Sequence, residues 1–154
     1  MQQLTQKLNN GEMLVQEVPA PQLGNGMILV KNHYSLISAG TESSTVKAAR
    51  KSLWGKAQER PQQVKQVLDT LLQQGPVQTY RAVTKKLEAY SPLGYSSAGE
   101  VLEVGEDVRE FVKGDWVACA GVGYAIHAEI VSVPKKLVVK LNKSTDIKLS
   151  LIHI

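Results

Sequence analysis

Cys119 and His127 stand eight residues apart, and both side chains are ordinary transition-metal ligands. A catalytic zinc takes three protein donors and keeps a fourth position open for water or substrate. The pair could therefore contribute to a small metal site. The competing reading makes Cys119 a small buried hydrophobe inside the apolar run Trp116-Val-Ala-Cys-Ala120. It makes His127 a strand or turn residue with an ordinary hydrogen-bond partner, and His33 a sheet residue. Gly121-Val-Gly123 begins like a dinucleotide fingerprint, but Ile126 occupies the third glycine's place and no helix opens after it. A working fingerprint needs a strand, a glycine turn and a helix to cradle pyrophosphate, so this segment is expected to be a turn.

The elements that must position these residues fall into three zones. Residues 1–42 are strand-like, with turn signals at Asn9-Asn10-Gly11 and Gly24-Asn25-Gly26 and apolar runs at Met13-Leu-Val and Met27-Ile-Leu-Val. Pro19 and Pro21 keep the link between those runs out of mid-sheet, because proline donates no ladder hydrogen bond. Residues 44–90 change to helical spacing. Val64, Val67, Leu68, Leu71 and Leu72 draw one apolar stripe, Pro61 suits a first helical position, and Gly75-Pro76 supplies a stop. Val77, Tyr80, Thr84 and Leu87 predict a helix beyond that stop. An earlier helix is expected from Thr45 to Trp54 on Val46, Ala49, Leu53 and Trp54; the plainer of two readings of Thr41 is a turn residue capping that helix near Ser44. Residues 95–141 return to strands: 98–105, 116–120, 126–133 and 137–141, with Gly114-Asp115 as a turn.

At 154 residues the chain is long enough to bury a core without a disulfide or metal staple, and its single cysteine permits no intrachain disulfide. No apolar run approaches the roughly 18–20 residues that cross a bilayer. The N-terminal residues lack the apolar core of a secretory signal, so a cytoplasmic location is expected. The formal charge is +4. The excess is concentrated between Thr45 and Tyr90, where nine Lys/Arg face three Asp/Glu. Such a field could attract nucleic acid, but only Trp54, Tyr80 and Tyr90 are available there for base stacking. A solvated helix face is the plainer explanation, and no nucleic-acid or membrane partner is expected.

Three motifs occur in a telling order: Ile37-Ser-Ala-Gly-Thr-Glu42, Pro92-Leu-Gly-Tyr-Ser-Ser-Ala-Gly-Glu-Val-Leu-Glu-Val-Gly105 and Val112-Lys-Gly-Asp-Trp-Val117. Together they resemble the catalytic, GroES-like domain of medium-chain dehydrogenases of the zinc-type alcohol/threonine dehydrogenase kind. The segment with Lys51-Ser-Leu-Trp54 and Arg60-Pro-Gln-Gln-Val-Lys-Gln-Val-Leu68 is similar to a bacterial bi-domain oxidoreductase subgroup. The resemblance spans about residues 1–148. It implies a fold that is mainly β with a helical insert (α+β), a GroES-like, partly open β-barrel with helices at about 45–90. It also implies that the chain stops short of the Rossmann domain, and residues 149–154 are expected to be a non-native tail in which His153 has no role.

The same resemblance implies an NAD(P)-dependent oxidoreductase that moves hydride on an alcohol or carbonyl substrate, with sugar-related compounds among the candidates. This fragment would be inactive alone, with NAD or NADP bound mainly by the missing domain. The family's zinc ligands are replaced: Ala39 stands for the first cysteine, Tyr95 for the histidine and Ser96 for the glutamate, so no zinc is expected. Thr41 matches a hydroxyl that bonds the substrate oxygen and passes its proton toward the cofactor ribose. The expected catalytic residues are Thr41 and Tyr95, and the expected cofactor contacts Gly40 and Thr41. Expected partners are the small-molecule substrate, the missing Rossmann domain and a second fused oxidoreductase module, with a homodimer of the full-length protein left open. Two other functions stay open: a GroES-like binding or assembly module without catalysis, and a basic nucleic-acid-binding domain.

Overall fold

The computed structural model describes residues 1–50, 58, 61–142 and 146–150. Its strands are β1 (Gln2–Lys7), β2 (Met13–Glu17), β3 (Met27–Ser35), β4 (Tyr90–Pro92), β5 (Ser96–Val104), β6 (Trp116–Ala120), β7 (Ile130–Pro134) and β8 (Val138–Lys140). Its helices are α1 (Ala39–Arg50), α2 (Pro61–Glu88) and a single turn, α3 (Ile147–Ser150). The architecture is mainly β with a helical insert. A small sheet has the order β2-β1-β4, and a larger antiparallel sheet the order β7-β3-β5-β6-β8. The larger sheet is open: β7 and β8 are its two edges, each paired on one side only.

Two compact units make up the chain. The first contains Met1–Thr5, Leu14–Ala39 and Pro92–Ile154; the second contains Gln6–Met13 and Gly40–Ser91. The first unit owns the five-stranded sheet and its core. Ile28, Val30, Val101, Val117, Cys119, Val131 and Val133 alternate along their strands into one buried cluster, joined by Val108, Phe111, Ala125 and Val138. Period-two alternation gives the sheet one apolar face, and each fully buried Val or Ile contributes about 1.5–3 kcal/mol of transfer free energy. β3 and β5 are the central pair, running from Ile28↔Val104 to Ser35↔Ser97 with two register shifts on the way. Gly99 is required in that pair, because a Cβ there would lie 2.0 Å from the Lys31 carbonyl oxygen.

The Gly114-Asp115 turn is tied by its own carboxylate. Asp115 accepts the Val112 N–H (2.9 Å) and pairs with Lys140 on β8 (2.7 Å). Gly114 holds φ +88, a conformation that glycine adopts without steric cost. The sequence places strands at 126–133 and 137–141, whereas β7 starts only at Ile130 and β8 spans three residues. Residues 126–129 form a bent segment joined to β1 by an isolated bridge, Gln3↔Ala128, and Lys135–Leu137 form a 3-10 turn. Backbone pairing, not apolarity, sets those limits.

In the second unit, α2 begins at Pro61, where the missing N–H leaves no helical bond unmade. Gly75 interrupts it with φ 79 and ψ 169 ahead of Pro76, as the expected stop requires, and a second helical run follows. The helix expected from Thr45 starts earlier, at Ala39, so Thr41 is helical rather than a cap. The Leu53 and Trp54 end of that expected helix, and the 151–154 portion of the expected tail, lie outside the described residues. The stripe predicted for α2 forms but is not buried: Leu68 is 52% and Leu72 86% exposed. No helix among the described residues is long and apolar enough to cross a membrane.

Candidate functional site

The antiparallel β3–β5 pair decides where the motif residues go. β3 leaves the sheet at the end where β5 enters it, with Ser35 opposite Ser97 and the Leu36 N–H donating to the Ser96 carbonyl (3.0 Å). Ala39, three residues past Leu36, and Tyr95-Ser96 therefore belong to the same end of the central strand pair. Ser96 is buried, Tyr95 is half-buried and Ala39 is exposed. The Tyr95 carbonyl accepts the Gly121 N–H at 2.8 Å, which anchors the entry to β5. Gly40 and Thr41 belong to the second unit, as the second and third residues of α1. Both are exposed, and the Thr41 carbonyl accepts the Ser44 hydroxyl at 2.7 Å, one helical turn on.

The donor chemistry at this sheet end does not fit zinc. Ala39 has no donor atom, and the hydroxyls of Tyr95 and Ser96 are poor ligands unless deprotonated. Cys119 supplies no substitute. It is fully buried on β6 opposite Ser97, and burial pushes its thiol up to about 12, against the thiolate that a metal needs. His127 is also buried, but its ring is engaged: Nδ1 is hydrogen-bonded to Ser35 Oγ at 2.8 Å. The structure thus makes Cys119 part of the apolar core and gives His127 a polar partner of its own. Among the described residues, no group of three or more His, Cys, Asp or Glu side chains could hold a metal ion.

His33 lies on β3 with its ring 4.9 Å from that of Trp116, as a sheet residue. Gly121 and Gly123 have φ 125 and 82. Tyr124 and Ala125 N–H both donate back to the Gly121 carbonyl, so the segment is a turn that opens no helix. It cannot cradle a pyrophosphate as a fingerprint does.

Motif reasoning passed over what surrounds His127. Three backbone hydrogen bonds close a ring there: Leu4 N–H to the His127 carbonyl (2.8 Å), His127 N–H to the Leu93 carbonyl (2.8 Å), and Leu93 N–H to the Leu4 carbonyl (3.3 Å). Gly94, at φ +97, packs so closely that a Cβ would lie 2.7 Å from the His127 nitrogen. Beside this knot is a cleft of about 300 Å³ whose polar lining includes Asn32, His33, Ser35, His127 and Glu129. The one sequence signal for the knot was Leu-Gly before Tyr95, where a tight backbone approach demands glycine.

The alcohol dehydrogenase GroES-like domain family matches the chain over residues 67–143, half its length. Solved structures share the fold. An alcohol dehydrogenase superfamily protein from Novosphingobium aromaticivorans is 21% identical with a TM-score of 0.62, covering 96% of this chain and 36% of that one. Galactitol-1-phosphate dehydrogenase from Escherichia coli is 16% identical, TM-score 0.62, covering 96% and 40%. Escherichia coli quinone oxidoreductase, solved with NADPH, is 12% identical, TM-score 0.64, covering 100% and 37%. This chain therefore spans well under half the length of these proteins. No curated protein sequence matches it. The motif order, the open sheet and the matched family agree, and the chain belongs to the alcohol dehydrogenase GroES-like domain family.

Proposed function

We propose that this chain is the substrate-side domain of a nicotinamide-dependent oxidoreductase that interconverts an alcohol and a carbonyl compound without zinc. The observation that carries the reading is the sheet end bearing Ala39, Tyr95 and Ser96, which keeps hydroxyls where the family has metal donors. NADPH is bound in the quinone oxidoreductase that shares this fold, and a nicotinamide cofactor would supply or accept the hydride. The part that binds its phosphates belongs to sequence beyond these residues, as does any second oxidoreductase module.

In this reading Tyr95 donates a hydrogen bond to the substrate oxygen, stabilising the negative charge that develops as hydride reaches the carbonyl carbon. Preorganised donors of this kind are worth about 3–4 kcal/mol each in barrier height. On the family resemblance Thr41, both donor and acceptor, is the hydroxyl that passes a proton toward the ribose, with Gly40 beside the cofactor. The wider range of fold relatives includes a sugar-alcohol phosphate dehydrogenase, in keeping with a sugar-related substrate. The enzyme is cytoplasmic in this account.

The test is NAD(P)H oxidation by the full-length protein over a panel of aldehydes, quinones and keto sugars, after exhaustive chelation. Turnover that survives chelation is the expected result. Activity lost to the chelator and restored stoichiometrically by zinc overturns the proposal.

A further inference from the structure

We propose that His127 is a positioning residue for this reaction, clamping the β3 exit to the β5 entry so that the segments carrying Ala39 and Tyr95 keep one geometry. The inference rests on the functional reading above for its catalytic consequence, but its structural part stands independently.

Three observations converge on His127. Its backbone belongs to the hydrogen-bonded ring with Leu4 and Leu93, two residues before Tyr95. Its ring is packed against Gly94, where a Cβ would lie 3.0 Å from the ring's Cγ and Nδ1. Its Nδ1 reaches across to Ser35 Oγ at 2.8 Å, on the last residue of β3. From Ser35 the chain runs through Leu36, fixed to the Ser96 carbonyl, to Ala39. One buried side chain therefore touches both segments that lead to the candidate centre. β3 changes register against β5 between Asn32 and Tyr34, and the Ser35 link sits just past that irregularity, next to the Leu36–Ser96 backbone bond. A polar ring buried here is costly unless bonded, so the Ser35 link holds the imidazole to one orientation. Misplacement of reacting groups by about 1 Å can cost as much as 100-fold in rate, so a modest drift at Tyr95 is enough to register.

The experiment uses Ser35→Ala, His127→Ala and His127→Asn, the last keeping a polar atom near the place of Nδ1. In the 154-residue chain, backbone amide shifts and hydrogen exchange are followed by NMR. Ser35→Ala is expected to move the signals of Leu36 to Ala39 and of Gly94 to Ser96 together, along with Gly121, whose N–H reports on the Tyr95 carbonyl. Changes confined to residues 35 and 127 overturn the proposal, whatever the activity. In the full-length enzyme, well below the melting temperature, both alanine variants should lower kcat about tenfold with KM little changed, and His127→Asn should restore most of it. Equal kcat in all variants, with only the melting temperature lowered, also overturns it, since a purely structural residue behaves that way. Failure of the functional reading is distinguishable: it would show as an indifferent Tyr95→Phe variant while the coupled NMR shifts persist.

Discussion

Ser97 and Ser35 face each other across the β3–β5 pair, yet their hydroxyls live in different worlds. Ser35 is bonded to His127, whereas Ser97 is fully buried and its Oγ has no partner among the described residues. A buried unpaired hydroxyl forfeits its hydration for nothing. Ser97→Ala should therefore raise stability by about 1 kcal/mol in a denaturant titration; a loss of stability would contradict this assignment. Cys119 makes a second residue-level prediction. Its folded pKa of about 12 lies above the ordinary value of 9.0, so the folded state holds its proton longer than the unfolded state. The stability linked to it is complete below pH 9 and is lost as pH climbs toward 12. Alkaline melts should show that decline, and Cys119→Ala should flatten it. Core burial of Cys119 was legible from its apolar neighbours. The Ser35–His127 bond was not, because two polar residues far apart in sequence carry no spacing signal.

Strand and helix limits show what patterning can and cannot convey. The α2 start at Pro61 and its break at Gly75 were readable, since both residues act through local backbone geometry. The early start of α1 and the late start of β7 were not. Ala39 to Ser44 has no apolar period to announce a helix, and Ile126 and Ala128 look strand-like although His127 between them bends the chain and bonds to Leu4 and Leu93. The glycine at position 99 works at this scale too. Gly99→Ala would drive a Cβ into the Lys31 carbonyl and pry apart the central strand pair. The expected cost is about 2–4 kcal/mol, read as a lowered midpoint in urea. Unchanged stability would mean that the β3–β5 register yields more easily than the packing implies.

For the whole molecule, the fold was legible because three motifs, each weak alone, occur in one order with strands between them. The candidate site rests on that resemblance alone: nothing in the spacing of Thr41 and Tyr95 marks either as a site residue. This division has a consequence for ligand binding. A chain whose Gly121-Val-Gly123 is a turn rather than a phosphate cradle should bind NADPH only weakly, and fluorescence titration of the 154-residue chain should show no submillimolar saturation. The most direct test of the metal-free hydroxyl site is the turnover number of Tyr95→Phe in the full-length enzyme. Removing one charge-stabilising donor is expected to lower kcat by about 100- to 1,000-fold with the fold intact. Turnover equal to that of the parent enzyme would contradict the role given to Tyr95 and the site built around it.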